Sequence, residues 1–302
     1  MANTFITPSV IARMGIATLY NDAVLAPLVW RDFDSDFRGK QGDAVTIRKP
    51  ATFTAEAFDR NSGVTYQDAT EDSATLTLST LANVSFRVTD EQWTLDVSDF
   101  RAQLLQPAME AIIQKVDGDI AEKLVDVGEA NATSTWTSSS PRTVFTGETG
   151  AKAKLSRAKM PTSERYAVFS SEAAGVMLSD ELFITADKSG STDGLREASI
   201  GKAFGFETYE SQVLGYGSGD KGQADGVAFH KSAVILAVRP LDKPRGLPAD
   251  QVAVESHKGL SLRVTYDYNH QYKQDEVSVD LLYGLATGRS TGAVQLSVGL
   301  GS

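Results

Sequence analysis

A chain of 302 residues makes one large domain or two small ones, and such a length buries roughly 75% of its unfolded surface without staples. With no cysteine and three histidines, disulfide scaffolds and Cys-ligated zinc or iron–sulfur sites are excluded, while 41% hydrophobic and 23% charged residues mark a globular chain. The formal net charge is -10, and residues 1–130 hold 20 acidic against 11 basic side chains, which disfavours the clustered Lys and Arg of a nucleic-acid footprint.

The N-terminus, Met1 to Pro8, has neither a basic leader nor a long apolar run, so no signal peptide is expected, and Ala233–Val238 is too short to span a bilayer. Thr7 and Pro8 read as N-cap and first helical residue. Val10, Ile11, Met14, Thr18, Val24, Leu25 and Leu28 then follow helical spacing. This helix has too little apolar surface to close a core and reads as an arm. Beyond it, Val45 and Ile47 alternate with Thr46 and Arg48. A second alternating run places Leu76, Leu78, Val84, Phe86 and Val88 on one parity. Period two predicts strands, so residues 41–88 read as a two-stranded excursion turning near Asn61–Gly63. Such a ribbon is marginal alone and calls for a neighbouring subunit.

Thr89 with Asp90 and Glu91 reads as a helix start, where negative charge is favoured. A long helix is expected over 98–128, capped by Ser98 or Asp99. Its apolar stripe runs through Leu104, Leu105, Ala108, Met109, Ile112, Ile113, Val116, Ile120, Leu124 and Val125. Pro107 either kinks it or opens its main part. After a Ser/Thr-rich loop, strands are expected at 142–146, 165–169, 207–209 and 226–238. Helices are expected at 149–160 and 171–178, and polar or Gly-rich loops at 186–193 and 215–219. The chain closes with a hairpin: Leu260, Leu262, Val264, Tyr266 and Tyr268 share one face, Val277, Val279, Leu281 and Tyr283 share one face of the return strand, and the turn lies in Asn269–Gln274.

Chemistry-bearing motifs are scarce. There is no Gly-Lys-Ser/Thr phosphate loop and no Gly-x-Ser-x-Gly elbow. The alternating oxygens of Asp32, Asp34 and Asp36, and of Asp187, Ser189, Ser191 and Asp193, resemble calcium loops but lack the Gly and closing Glu such loops need. His230, His257 and His270 are isolated, without the helical pairing of zinc sites. No catalytic residue, cofactor or metal site is expected.

The order of elements, arm helix, extended loop, long helix, mixed α/β part and terminal hairpin, resembles the HK97-fold major capsid proteins of tailed bacteriophages, particularly the branch like the P22 coat protein. Strings similar to that family are Leu28–Phe33 with Gly42–Pro50, Arg196–Ser211, Ala228–Ala233 with Arg239–Leu241, and Gly259–Val264 with Asp280–Gly284. The resemblance implies an α+β capsid fold. Residues 1–40 would be the N-terminal arm and 41–88 the E-loop. Residues 89–159 and 251–302 would form the P-domain, with its spine helix at about 98–128 and hairpin at about 260–283, and 160–250 the A-domain. It implies inter-subunit contacts at Asp59, Arg60, Asn61 and Tyr66 on the E-loop, at Tyr216, Asp220 and Lys221 on an A-domain loop, and at His270, Tyr272 and Lys273 on the hairpin tip.

The implied function is self-assembly of pentamers and hexamers into an icosahedral phage head around double-stranded DNA held by confinement. The implied partners are further copies of the chain, a separate scaffolding protein, a portal and in some heads a decoration protein, with no membrane. The implied location is the virion, assembled in the host bacterial cytoplasm. No lysine lies between Lys49 and Lys115, so an E-loop amine for covalent crosslinking is missing. The alternative within the fold is an encapsulin-like cellular shell; an enzyme in the α/β part and a β-rich tail-tube or decoration protein are the readings outside it.

Overall fold

The computed structural model describes residues 13, 23–31, 44–48, 53, 55–58, 60, 63, 64, 66, 68, 73–95, 104–132, 136–137, 141–180, 201–214, 225–239, 241–244, 248, 251–257, 260–296 and 298–299. Strands β1 (Ala44–Arg48) and β2 (Ser73–Thr77) form an antiparallel ribbon with Ala44 opposite Thr77 and Arg48 opposite Ser73. β3 (Thr80–Thr89) leads into the short helix α1 (Asp90–Leu95). A capping box starts that helix: the Gln92 N–H donates to Thr89 Oγ1 at 3.3 Å, and the Thr89 N–H donates to Gln92 Oε1 at 3.1 Å.

The long helix α2 spans Gln106–Glu129 with Pro107 in its first turn, so the proline opens the helix and does not kink it. Residues 98–103 and the two expected caps lie outside the described residues. The anticipated stripe is buried from Leu105 through Val125, with only Leu104 partly exposed. At roughly 1.5–3 kcal/mol for each fully buried Leu, Ile or Met, this face dominates the helix's stability.

A large antiparallel sheet is built on the closing hairpin. β10 (Val252–His257), β11 (Leu260–Asn269), β12 (Gln274–Thr287) and β3 lie in that order, and β9 (Val234–Arg239) takes over from β11 beside the second half of β12. One face of this sheet packs Val264, Val277, Val279, Leu281 and Tyr283 against α2. The other face packs Leu282 and Ala286 with Ile235 and Ala237 against Ile47, Leu76 and Leu78 of the ribbon. Gly284 makes that crossing: a Cβ there would collide with the Thr77 carbonyl oxygen, so only glycine lets the ribbon's base pass this close to β12.

A second sheet runs β13 (Ala293–Leu296), β8 (Gly226–His230), β5 (Arg165–Phe169), β7 (Phe206–Glu210), β6 (Lys202–Ala203). Helices α3 (Ala151–Arg157) and α4 (Ser171–Met177) join Phe145, Phe169 and Phe206 in the core on one side of it. Val168, Val227 and Phe229 on the other side face the α2 core. A short parallel pair, β4 (Trp136–Thr137) with β14 (Val298–Gly299), lies apart from both sheets.

Several expectations are corrected. Residues 24–28 form turns, not a continuing helix, because their amides are given to a side chain described below. Pro141–Val144 is a 3-10 turn, not a strand: adjacent Val144 and Phe145 are both buried in one core, whereas strand neighbours point to opposite faces. The helix expected over 149–160 is confined to Ala151–Arg157, closed by Lys159 in the left-handed region at φ 55°. The run 80–88 does not prolong the ribbon. Its alternating side chains Ala82, Val84 and Phe86 seat β3 in the large sheet against α2. Apart from these corrections, β9, within 160–250, joins the large sheet, and β13, within 251–302, joins the second one. Antiparallel pairing of the two returning chain segments outweighs sequence order there.

Candidate assembly surfaces

The ribbon's base is packed, but what lies beyond it is not. Phe53 is 65% exposed, Phe58 67%, Val64 64% and Tyr66 91%. Four large apolar side chains between β1 and β2, clear of all three buried clusters, are a candidate for protein contact. Arg60 is also exposed there. Asp59 and Asn61 lie outside the described residues.

The hairpin tip is the second surface. Asn269 Oδ1 accepts from the Gln271 and Tyr272 amides at 3.1 and 3.4 Å, and Lys273 turns the chain at φ 49°. This local bonding fixes the tip and turns Tyr272 outward at 64% exposure, beside exposed His270 and Lys273. The His270 ring meets Tyr268 edge-on at 4.9 Å. Tyr268 Oη donates to Asp90 Oδ2 at 2.9 Å, and the Asp90 N–H donates to the Lys273 carbonyl at 3.2 Å, so α1 braces the tip. Tyr266 behind it has its phenol pushed well up, first by burial, then by its hydrogen bond to Asp275.

The third expected surface, with Tyr216, Asp220 and Lys221, lies outside the described residues, as do both calcium-like strings. Among the described residues no group of three or more His, Asp or Glu is placed to hold a metal ion, and no helix is long and apolar enough to cross a membrane.

Three polar devices behind these surfaces went unforeseen. Asp117, 2% exposed, sits inside the apolar stripe of α2 and accepts the backbone N–H groups of Val24 and Leu25 on Oδ2 at 2.8 and 3.2 Å, and of Ala26 on Oδ1 at 3.1 Å. Burial pushes its carboxyl up, and the three amides oppose that. All three contacts ask it to accept, which suits the carboxylate. The signal was a lone carboxylate four residues after Ile113 on the buried face. Asp117 also lines a cleft of about 950 Å³ of mixed lining, with Glu110, Gln114 and Glu210 beside Val24, Ile113 and Val213.

Asp280, 5% exposed, binds the Arg263 guanidinium at 2.5 and 3.0 Å and accepts from Asn83 and Ser278, tying β11, β12 and β3 together. Tyr283 Oη donates to Asp119 Oδ2 at 2.5 Å, and Lys115 holds the other Asp119 oxygen at 2.6 Å. Burial, then this bond to Asp119, pushes the Tyr283 phenol far above its usual value.

The likenesses to known proteins are structural. A solved chain from Mycobacterium phage Che8 superposes with a TM-score of 0.68 at 21% identity, over 98% of this chain and 93% of that one. The capsid structure of cyanophage P-SCSP1u matches with a TM-score of 0.62 at 12% identity, over 100% and 91%. The mature capsid of bacteriophage PhiM1 matches with a TM-score of 0.60 at 12% identity, over 85% and 82%. No family model matches the chain, and no curated protein matches its sequence. The fold is therefore α+β and HK97-like, that of phage capsid structures.

Proposed function

We propose that this chain is a phage major capsid protein, assembling as pentamers and hexamers into an icosahedral head around double-stranded DNA. The observation that carries the proposal is a likeness to phage capsid structures running over nearly the whole chain, together with a ribbon that leaves Phe53, Phe58, Val64 and Tyr66 uncovered. Burial of such side chains contributes roughly 1.5–3 kcal/mol each, against about 0–1 kcal/mol for an exposed Asp59–Arg60 type pair. Apolar burial by a neighbouring copy is thus the main driving force in this reading, and charge sets register.

In the same reading, residues beyond β1 and before β2 are the E-loop, and the large sheet with α2 is the P-domain. The sheet of β5 to β8 and β13 belongs to the A-domain, and the Tyr272 tip meets neighbouring capsomers. Heterologous contacts that close rings build such shells. The P22-like branch is supported by the sequence strings quoted above. Scaffolding protein, portal, decoration protein, host-cytoplasm assembly and a purely structural, non-enzymatic role are parts of the proposal. An encapsulin-like shell is not favoured beside these phage structures.

Negative-stain electron microscopy of the purified chain, alone and co-expressed with its neighbouring genes, tests the proposal. Closed uniform shells or rings of five and six are expected. A persistent monomer under both conditions overturns it.

A further inference from the structure

Of the chain crossings that join the two sheets, two lie side by side. β8 passes into β9 through the 3-10 turn Lys231–Ala233, and β12 passes into β13 through residues 288–292. β8 pairs with β13 and β9 with β12, so one antiparallel ribbon runs from sheet to sheet and is interrupted only at this junction. There the Gly288 N–H donates to Ala233 O at 2.9 Å, Arg289 N–H to Ser232 O at 3.0 Å, and His230 N–H to Gly292 O at 2.9 Å. Gly288 has no room for a Cβ, which would collide with the Ser232 carbonyl oxygen.

His230 caps the turn from within. It is 7% exposed, its Nδ1 accepts the Ser232 N–H at 3.2 Å, and the Ser232 hydroxyl lies 2.8 Å from the same nitrogen. A backbone N–H can only donate, so Nδ1 carries the lone pair and the ring proton sits on Nε2. That Nε2 is buried without a hydrogen-bond partner. We infer that His230 is a pH-sensitive pin of this junction, closing the crossing while neutral and loosening it when a proton from solvent occupies Nδ1.

Protonation of Nδ1 takes the acceptor away from the Ser232 amide and leaves two N–H groups facing each other. It also creates a buried cation among three other cations and one carboxylate, Glu164. Arg165 of β5 stands directly opposite His230 in register, and its guanidinium donates to the Pro161 and Met160 carbonyls and lies 3.4 Å from the Ser156 hydroxyl, all neutral oxygens. Like charges directly opposite one another destabilise a strand pair. Lys231 of the turn and Arg289 of the second crossing add to the repulsion. Glu164, before β5, is the opposing carboxylate, and it is 3.4 Å from Lys231 Nζ. Burial, as the largest cause, lowers the imidazole's proton affinity in keeping with this geometry. A folded value below the unfolded one gives stability that is fully present above the unfolded imidazole's range and is lost as pH falls towards the folded value.

Amide hydrogen exchange of the full chain from about pH 7 to about pH 5, corrected for intrinsic rates, tests the pin whatever the assembly state. In the wild type, protection at Ser232, Gly288 and Arg289 should fall relative to Val279 and Leu281, by up to about tenfold per pH unit. In His230→Gln, which keeps an acceptor and cannot titrate, the same ratio should stay flat. A flat wild type, or a variant that falls as steeply, overturns the inference. Should the variant not fold, the wild-type His230 ring titration followed by NMR decides: coincidence with the loss of protection supports the pin, and a ring that titrates without that loss, or stays neutral throughout, overturns it.

Discussion

The molecule contains two antiparallel ribbons of similar sequence pattern, a long one, β11–β12, and a short one, β1–β2, whose surroundings differ. β11–β12 alternates apolar and polar residues and finds cover within its own chain, with α2 on one face, the base of the other ribbon on the opposite face, and β3 and β9 along β12's edges. β1–β2 alternates as well and its apolar side is covered by Ile235, Leu282 and their neighbours, but Phe53, Phe58, Val64 and Tyr66, between the two strands, stay in solvent. Alternation therefore specifies a ribbon without specifying who buries it. One ribbon's apolar face is used up within its own fold; the segment between the strands of the other leaves apolar side chains in solvent.

Substitutions on the two ribbons should separate stability from assembly. The largest effect is expected from Arg263→Ala, which leaves Asp280 buried without its cation. A loss of about 3 kcal/mol should appear as a lower urea midpoint at unchanged slope. Gly284→Ala should cost about 1–3 kcal/mol by forcing the Thr77 backbone off the sheet, read from the same midpoint. Asp117→Ala strands three amides and should cost about 1–3 kcal/mol. Its fingerprint is lost exchange protection at Val24, Leu25 and Ala26 while the β11–β12 amides stay protected.

Tyr283→Phe should cost about 1 kcal/mol at neutral pH. Its alkaline behaviour is more diagnostic. The folded phenol titrates above the unfolded value of 10.0, so its stabilisation is present below that pH and is lost as pH rises through the folded value. The variant should flatten the alkaline fall in stability seen in a pH series of denaturation curves. The smallest stability effect belongs to Phe58→Ser and Tyr66→Ser, within about 0.5 kcal/mol of wild type. These should nevertheless abolish closed particles in electron micrographs. Intact shells from the pair would mean the exposed ribbon is not the assembly surface.

Much of this division is written in periodicity. The stripe from Leu105 to Val125 announces a helix buried on one face, and the parity of Val277, Val279, Leu281 and Tyr283 announces the covered strand. Even positions from Leu76 to Val88 are apolar except at Thr80, and the chain changes layers just there, so the two halves of one interrupted pattern serve two cores. The break at Thr80 and the exposed Leu81 beside it are the only marks of that step in this stretch. Asp117 was visible as a carboxylate out of place, but its partners lie 91 to 93 residues away and present only backbone amides, which no side-chain pattern encodes. The exchange of β9 and β13 between sheets depends on long-range pairing that spacing cannot convey. Of the surfaces, the ribbon and hairpin tip were legible as exposed turns, whereas Phe53, Phe58 and Val64 became candidates only once their burial was known.

The paired crossings have a topological consequence. The chain passes between the sheets three times, from β3 to β5, β8 to β9 and β12 to β13, and the last two routes are bonded to each other across the junction. A nick in the exposed turn at Arg289 or Ser290 severs one route and leaves the others intact. The short segment beyond such a cut is expected to stay docked through the pairing of β13 with β8, checked by gel filtration of the nicked chain, so this seam should tolerate a break in the backbone where a single linker would not.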